Sequence, residues 1–298
     1  MSRTLAAALS KLLTTEKGMA SSNFSSAQQL ALQDFARKTQ AIRLVPQGRG
    51  SQYQILNQQV VQSHLNQLSP ITDRDILKEL PQRAVNVARY RDSKGAASGH
   101  GRGYLLLKCI GNEAIWRNEA KHAVVNLKSA TALCGAAALS IKATDGWCSD
   151  TPLWLVENQA LFDDLRWLPP ESSGTICYYA GNINGVMLDW LGYSPRAPKI
   201  ILFPDYDGIG LKNFVRIRER VGAGAEFWLM NNWEELLHRH GNQQIWIDNF
   251  SNFIDAVTRL NALEDIPLAL MTLCSAMQNA GLALEQEAVF LDKNRRSL

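Results

Sequence analysis

Two carboxylates one residue apart, Asp205 and Asp207, lie in the stretch KIILFPDYDGIGLKNFVRIRER over residues 199–220. Ile200–Phe203 is an apolar run long enough for one buried strand. From Ile209 onward, Leu211, Phe214, Val215 and Ile217 recur at helical spacing. In an extended chain, side chains i and i+2 point the same way. Asp205 and Asp207 are therefore expected side by side at the carboxyl end of a strand, with Gly208 and Gly210 permitting a sharp turn into the helix. Open α/β sheets bind ligands at that end of their strands, and paired hard oxygen donors there suit Mg²⁺. Asp and Gly are also ordinary turn residues, and Asp is a favoured helix N-cap, so the same residues read equally as a capped turn without chemistry.

A second acid in the same context favours the metal reading. The apolar run Pro152–Asn158 carries Glu157 at its end, and the run Thr175–Gly181 lies between the two acidic runs. Three parallel strands with acids after the first and third bring Glu157 close to Asp205 and Asp207 if those strands are neighbours. Asn182 and Asn184 follow the second run at the same sheet edge, placed either to hold substrate or water or simply to turn the chain.

Four motifs, VEN (156–158), YYAGN (178–182), FPDYDGIGL (203–211) and LEQEAV (284–289), together resemble the Toprim domain shared by topoisomerases, primases and several nucleases. Within it they are similar to the nuclease subunit of Wadjet-type plasmid-defence systems, the JetD family, related to the A subunit of type IIB topoisomerases. The likeness covers about residues 150–292 and departs from the common Toprim pattern at Asn158, where a glycine usually follows the acid. It implies a metal-dependent DNA endonuclease acting on plasmid duplexes beside an SMC-type motor complex, with homodimers supplying two active sites. By this likeness Glu157, Asp205 and Asp207 are catalytic and hold Mg²⁺ or Mn²⁺, and Glu285 or Glu287 helps to complete the acidic site. By spacing alone Glu285 and Glu287 are a solvated pair. The related topoisomerases cut with a tyrosine on a preceding helical domain, and Tyr90 is suitably placed, although its surroundings, VARYRDSKG, match that motif poorly. Two other readings stay open: a DNA-binding subunit whose Toprim domain only docks partners, and a transesterase using Tyr90. DYDG also resembles the DxDG of haloacid-dehalogenase-type phosphatases, but there the motif ends the first core strand rather than the third.

The charge distribution supplies a candidate substrate surface. Net charge is +3, but residues 1–150 hold 19 Lys and Arg against 10 Asp and Glu, while the remainder holds 12 against 18. A basic half joined to an acidic half fits a polyanion-binding module beside a metal-binding one. Arg43, Arg49, Arg83, Arg89, Arg91, Lys94, Arg102 and Lys108 are the candidate DNA-binding cations, several of them around the glycine-rich segment 95–103. That segment lacks a Gly-Lys-Ser/Thr ending and is no P-loop. The five cysteines stand singly, which points to buried thiols in a reducing compartment. With no signal-like segment and no apolar run of transmembrane length, a cytoplasmic, nucleoid-associated protein is expected.

These residues require a positioning frame. The expected fold is an α/β Toprim domain with a Rossmann-like parallel sheet over 149–298, preceded by winged-helix-type DNA-binding regions over 1–69 and 70–148. In the first region, helices over 4–14, 27–39 (capped by Ser26) and 57–68 flank strands over 41–45 and 52–56, with a basic turn at 47–51. In the second, helices fill 73–80 and 81–91, strands 104–109 and 113–117 pair, and a helix covers 126–139. In the third, strands over 153–157, 175–180, 199–204 and 225–230 alternate with helices over 159–166, 183–192 and 209–221, the pattern of βαβ units.

Overall fold

The computed structural model describes residues 2–15, 18–48, 50–68, 80, 82–90, 101–111 and 113–292. The chain divides into two compact units, Met1–Gly99 and His100–Leu298. The first contains α1 (Ser2–Leu12), β1 (Met19–Ala20), α2 (Ser26–Thr39), β2 (Ile42–Gln47), β3 (Gly50–Ile55), α3 (Gln58–Leu68) and α4 (Gln82–Tyr90). Helix α2 begins at Ser26, and its cap is Ser25, one residue before the expected cap. Ser25 Oγ accepts the Gln28 N–H and Gln28 Oε1 accepts the Ser25 N–H, so two N–H groups that lack helical partners are satisfied at once. β2 and β3 form the anticipated antiparallel hairpin, Ile42 opposite Ile55 and Gln47 opposite Gly50, and β1 adds to β3. Leu9, Leu12, Leu32, Phe35, Tyr53 and Val61 interlock as this unit's own core. The helix expected over 73–80 lies outside the described residues, apart from Leu80.

The second unit is built on a mixed six-stranded sheet. Its elements are β4 (Gly103–Ile110), β5 (Ile115–Asn118), β6 (Ala123–Asn126), α5 (Leu127–Cys134), β7 (Ala137–Ile141), β8 (Cys148–Ser149), β9 (Leu153–Val156), α6 (Gln159–Asp163), β10 (Gly174–Tyr178), α7 (Gly185–Tyr193), β11 (Ile200–Phe203), α8 (Gly208–Val221), β12 (Ala225–Phe227), α9 (Trp233–His240), α10 (Gln243–Leu260) and α11 (Leu268–Ala280). The strand order is β12-β11-β9-β10-β4-β7. β12, β11, β9 and β10 run parallel, as the βαβ reading requires. The consecutively buried residues of β9, β10 and β11 are those of strands covered on both faces, whereas β12 at the edge buries only Ala225.

The sheet is not wholly parallel, and it does not begin at residue 149. β4 pairs antiparallel with β10, and β7 antiparallel with β4, so residues from the expected 70–148 region complete it. The physical reason is an otherwise open edge at β10. β4 covers it with Leu105, Leu107 and Cys109 turned inward and Tyr104 and Leu106 outward, a one-sided alternation. Residues 113–117 do not pair with β4; β5 pairs with β6 and β8 in a separate small sheet. The helix expected over 126–139 stops at Cys134, because Gly135 takes φ +77° and Leu139 lies in β7. Cys109, Cys177 and Cys274 are buried, whereas Cys134 and Cys148 are exposed, and all five thiols are free. Among the described residues no helix is long and apolar enough to cross a membrane.

Gly208 and Gly210 serve packing rather than turning. Neither has positive φ. A Cβ on Gly208 would lie 2.2 Å from the Asn249 carbonyl oxygen and 2.5 Å from the Phe253 nitrogen, so α8 and α10 meet backbone to backbone at this point. A Cβ on Gly210 would lie 2.0 Å from the Asp205 carbonyl oxygen. Because the obstacles are backbone, they cannot step aside. Gly208→Ala is expected to cost about 1–3 kcal/mol, the range for overpacking, read as a lower melting temperature. Gly185→Ala, where an added Cβ meets nothing within 4 Å, is expected to leave it unchanged. Equal melting temperatures for the two variants would remove the close-approach account.

Candidate functional site

β9 and β11 are hydrogen-bonded neighbours, with Val156 opposite Phe203. Adjacent strands lie about 4.8 Å apart. Glu157, one residue beyond Val156, and Asp205, two beyond Phe203, therefore emerge at the same sheet edge. Alternation holds through the next residues: Asp205 and Asp207 face the site while Tyr206 turns into the core. Tyr206 is fully buried; its hydroxyl donates to the Trp228 carbonyl (3.2 Å) and accepts from the Met230 N–H (2.7 Å). Its backbone makes two hydrogen bonds with Leu284 (2.7 and 3.0 Å), so residues near the carboxyl end of the chain are held against the DYD turn.

That pairing delivers Glu285, Gln286 and Glu287 to the acids. The Gln286 N–H donates to Asp205 Oδ1 (2.8 Å). The fully buried Gln286 amide also accepts from the Asn158 N–H (3.2 Å) and donates to the Phe203 carbonyl (3.4 Å), satisfying the backbone where β9 and β11 end. Asn158 Nδ2 donates to both Asp205 Oδ1 (3.3 Å) and Glu287 Oε2 (2.9 Å). The asparagine that stands in place of the usual glycine thus links two carboxylates. Asp207 caps α8, its Oδ1 accepting from the Gly210 N–H (2.7 Å) and its Oδ2 from Asn249 Nδ2 (2.9 Å). The capped-turn reading is correct for Asp207, and it coexists with a place in the acidic cluster. Glu157 Oε2 accepts from the Tyr179 hydroxyl (3.1 Å).

These acids repel one another in a poorly solvated place. Burial, then the charges of Asp205 and Asp207, push the Glu157 carboxyl from its ordinary 4.5 up to about 8. Burial raises Asp205 to about 7, with Asp207, Glu287 and Glu285 adding to the rise and the Gln286 N–H opposing it. Asp207 is raised by burial and less by Glu285, against the Gly210 and Ile209 N–H groups. Burial, followed by the negative charge of Glu157, lifts Tyr179 well above its usual value. Among the described residues no Lys or Arg forms an ion pair with any of the five acids.

Glu157, Asp205, Asp207 and Glu287 are therefore brought together, and the exposed Glu285 acts on the cluster through its charge. The donor set is hard oxygen with uncompensated negative charge, which suits a divalent cation in kind. Both Asp207 oxygens and one oxygen each of Glu157, Asp205 and Glu287 accept from protein donors, and no three His, Cys, Asp or Glu side chains among the described residues are arranged to hold a metal ion. Asn184 caps α7, and Asn182 Oδ1 accepts from Arg216. Tyr179 and Gln286 lie inside two of the quoted motifs without being singled out, and Asn249 carried no local signal, because it reaches the site from α10.

The cationic candidates fare differently. Arg43 on β2 and Arg83 on α4 are exposed, and so is Arg102, which donates to Ser140 Oγ (3.1 Å). Lys108 is committed internally: its ammonium pairs with Asp163 (3.1 Å), donates to the Phe162 carbonyl (3.0 Å) and lies 4.4 Å from the Phe162 ring centroid. Arg49, Arg91 and Lys94, and the side chains of Arg89 and Tyr90, lie outside the described residues. The chain matches no family model and no curated protein.

The acid cluster makes stability depend on pH. Glu157 binds a proton more tightly folded than unfolded, so between about pH 4.5 and about pH 8 the folded state holds the extra proton and stability falls as pH rises. Glu157→Gln keeps an acceptor for Tyr179 and removes the repulsion. It is expected to flatten that fall and to raise the melting temperature at pH 8 by at least about 2 °C, the equivalent of roughly 1 kcal/mol. A lower melting temperature for this variant at pH 8 would show that the carboxylate is not held against repulsion.

Proposed function

We propose that the chain is a metal-dependent DNA endonuclease whose active site is Glu157, Asp205 and Asp207. The observation that carries this reading is the convergence of these acids at the carboxyl ends of two adjacent parallel strands, with raised pKa values and no compensating Lys or Arg among the described residues. Such charge is held at a cost to stability, which is reasonable where a cation is to be received. Asp205, Asp207 and Glu157 would hold Mg²⁺ or Mn²⁺, which when bound neutralises phosphate charge and lowers the pKa of an attacking water.

The protein's own residues supply the rest. Asn158 and the Gln286 N–H fix the orientation of Asp205, and Asn249 with the first N–H groups of α8 fixes Asp207. Glu157, steadied by Tyr179, would serve either as a further metal ligand or as the general base that takes the proton of the attacking water. In this reading the fold is a Toprim domain and the first unit a winged-helix-type module. Duplex plasmid DNA is bound in part by Arg43, Arg83 and Arg102. The motif likeness adds an SMC-type motor complex as partner, and a homodimer supplies one site for each strand.

The test is plasmid cleavage with Mg²⁺ or Mn²⁺ by wild type, Asp207→Ala, Asp205→Asn and Glu157→Gln, each first checked for a wild-type-like fold. Metal-dependent nicking or linearisation is expected from wild type, falling by at least about 10²-fold in each variant. Undiminished cleavage by all three variants, or none by wild type with a cognate motor complex added, would sink the assignment.

A further inference from the structure

A second polar site lies on α8, the helix that Asp207 caps. A pocket of about 570 Å³ lies among the Asn182–Gly185 turn, the first half of α8 and the middle of α10; Ile183, Asn184, Ile209, Lys212, Arg216 and Asn252 are among its lining residues. At 3.6 residues per turn, Lys212 and Arg216 stand about one and a half and two and a half turns beyond Asp207. Asn213, fully buried between them, donates to the Gly181 carbonyl (3.0 Å) and accepts from the Ile183 N–H (3.4 Å), fastening the turn to the helix.

The cations of this pocket are undercompensated. Arg216 Nη1 donates to Asn182 Oδ1 (3.2 Å) and Asn213 Oδ1 (3.4 Å), both neutral amide oxygens. Among the described residues its guanidinium forms no ion pair, and its remaining N–H groups have no protein acceptor. Burial and the neighbouring charges of Arg220 and Arg259 push Arg216 below its ordinary range. Lys212 donates to Asn252 Oδ1 (3.2 Å) and lies 3.5 Å from Asp255, the carboxylate with which it pairs among the described residues, and which also lies 3.6 Å from Arg259. Arg259 is paired mainly with Glu219, and Arg220 lies 3.6 Å from Asp189. A half-buried guanidinium with free N–H groups is the donor arrangement that grips a phosphate bidentately.

We infer that this pocket seats a backbone phosphate of the nucleic-acid strand, one that does not react, and that Lys212 and Arg216 hold the strand across the acid cluster. The inference deepens the nuclease reading and rests on it for the choice of strand. The physical need is plain: the net negative charge of the acid cluster repels a polyanion, and a cationic seat on α8 offsets that repulsion where the strand must pass. Lys212 and Arg216 are positioning residues, since neither touches the acids.

The test measures binding without catalysis, by fluorescence anisotropy of a short labelled DNA duplex with the full chain in EDTA over a range of salt. Lys212→Ala and Arg216→Ala are each expected to raise Kd by about 5–10-fold and to reduce the slope of log Kd against log salt by about one. Arg216→Lys should keep the salt slope but not the full affinity, because it keeps the charge and loses the planar fork. Asp255→Asn, which frees Lys212 without touching the strand, should tighten binding by about 2–3-fold. That gain should vanish when Lys212 is also changed to Ala, whereas a general loss of negative charge would leave it in place. Should Arg216→Ala fail to fold, the Lys212 and Asp255 variants carry the same comparison. Wild-type Kd and salt slope in the folded variants would overturn the assignment even if the protein cuts DNA. Binding that depends on Lys212 and Arg216 in a chain that never cuts would support it and remove the nuclease reading instead.

Discussion

The parallel pairing of β9 with β11 is the constraint on which the rest of the site depends. With Val156 opposite Phe203, the acids that follow the two strands must leave the sheet at one edge. A one-residue slip would turn Glu157 and the DYD segment to opposite faces, since side chains alternate with period two. The register is held from within by four continuously buried residues in each strand. It is held from the end by the buried Gln286 amide, which joins the last backbone groups of both. The acids are themselves repulsive, so the apolar sheet beneath them must supply the stability they remove.

The residues around the acids do two jobs at once. Asp207 is both a helix cap and a member of the cluster, so its position is set by the backbone of α8 rather than by its neighbours' charges. Tyr206, between the two aspartates, anchors the turn by burying its ring and satisfying its hydroxyl on the Trp228–Met230 segment. Gly208 lets α10 approach closely enough for Asn249 to reach Asp207 and for Asn252 to reach Lys212. One close helix contact thus sets the surroundings of both the acidic site and the cationic pocket.

The sheet is also larger than the acidic half of the chain. β4 and β7 come from the basic half, and they join because an uncovered β10 would leave a row of unpaired backbone groups. Charge composition therefore does not mark the structural boundary. The excess of Lys and Arg before residue 150 is shared between the first unit and the edge of the second, and some of it, as at Lys108, is spent inside the fold.

The amino-acid sequence by itself determined the local frame. Apolar runs of strand length alternating with helical spacing marked β9, β10, β11 and β12 and the helices between them, because burial on both faces leaves a signature in composition. It marked the paired acids too, since i and i+2 alternation is a property of any extended chain. Only the tertiary structure decided that Glu157 neighbours the DYD turn, that β4 and β7 complete the sheet, and that the carboxyl-terminal EQE segment returns to the site through Tyr206 and Leu284. It also decided the work of Gly208, Asn158, Asn249 and Gln286. Each of these acts through a partner tens of residues away or more, and no local pattern records which distant backbone a side chain will meet.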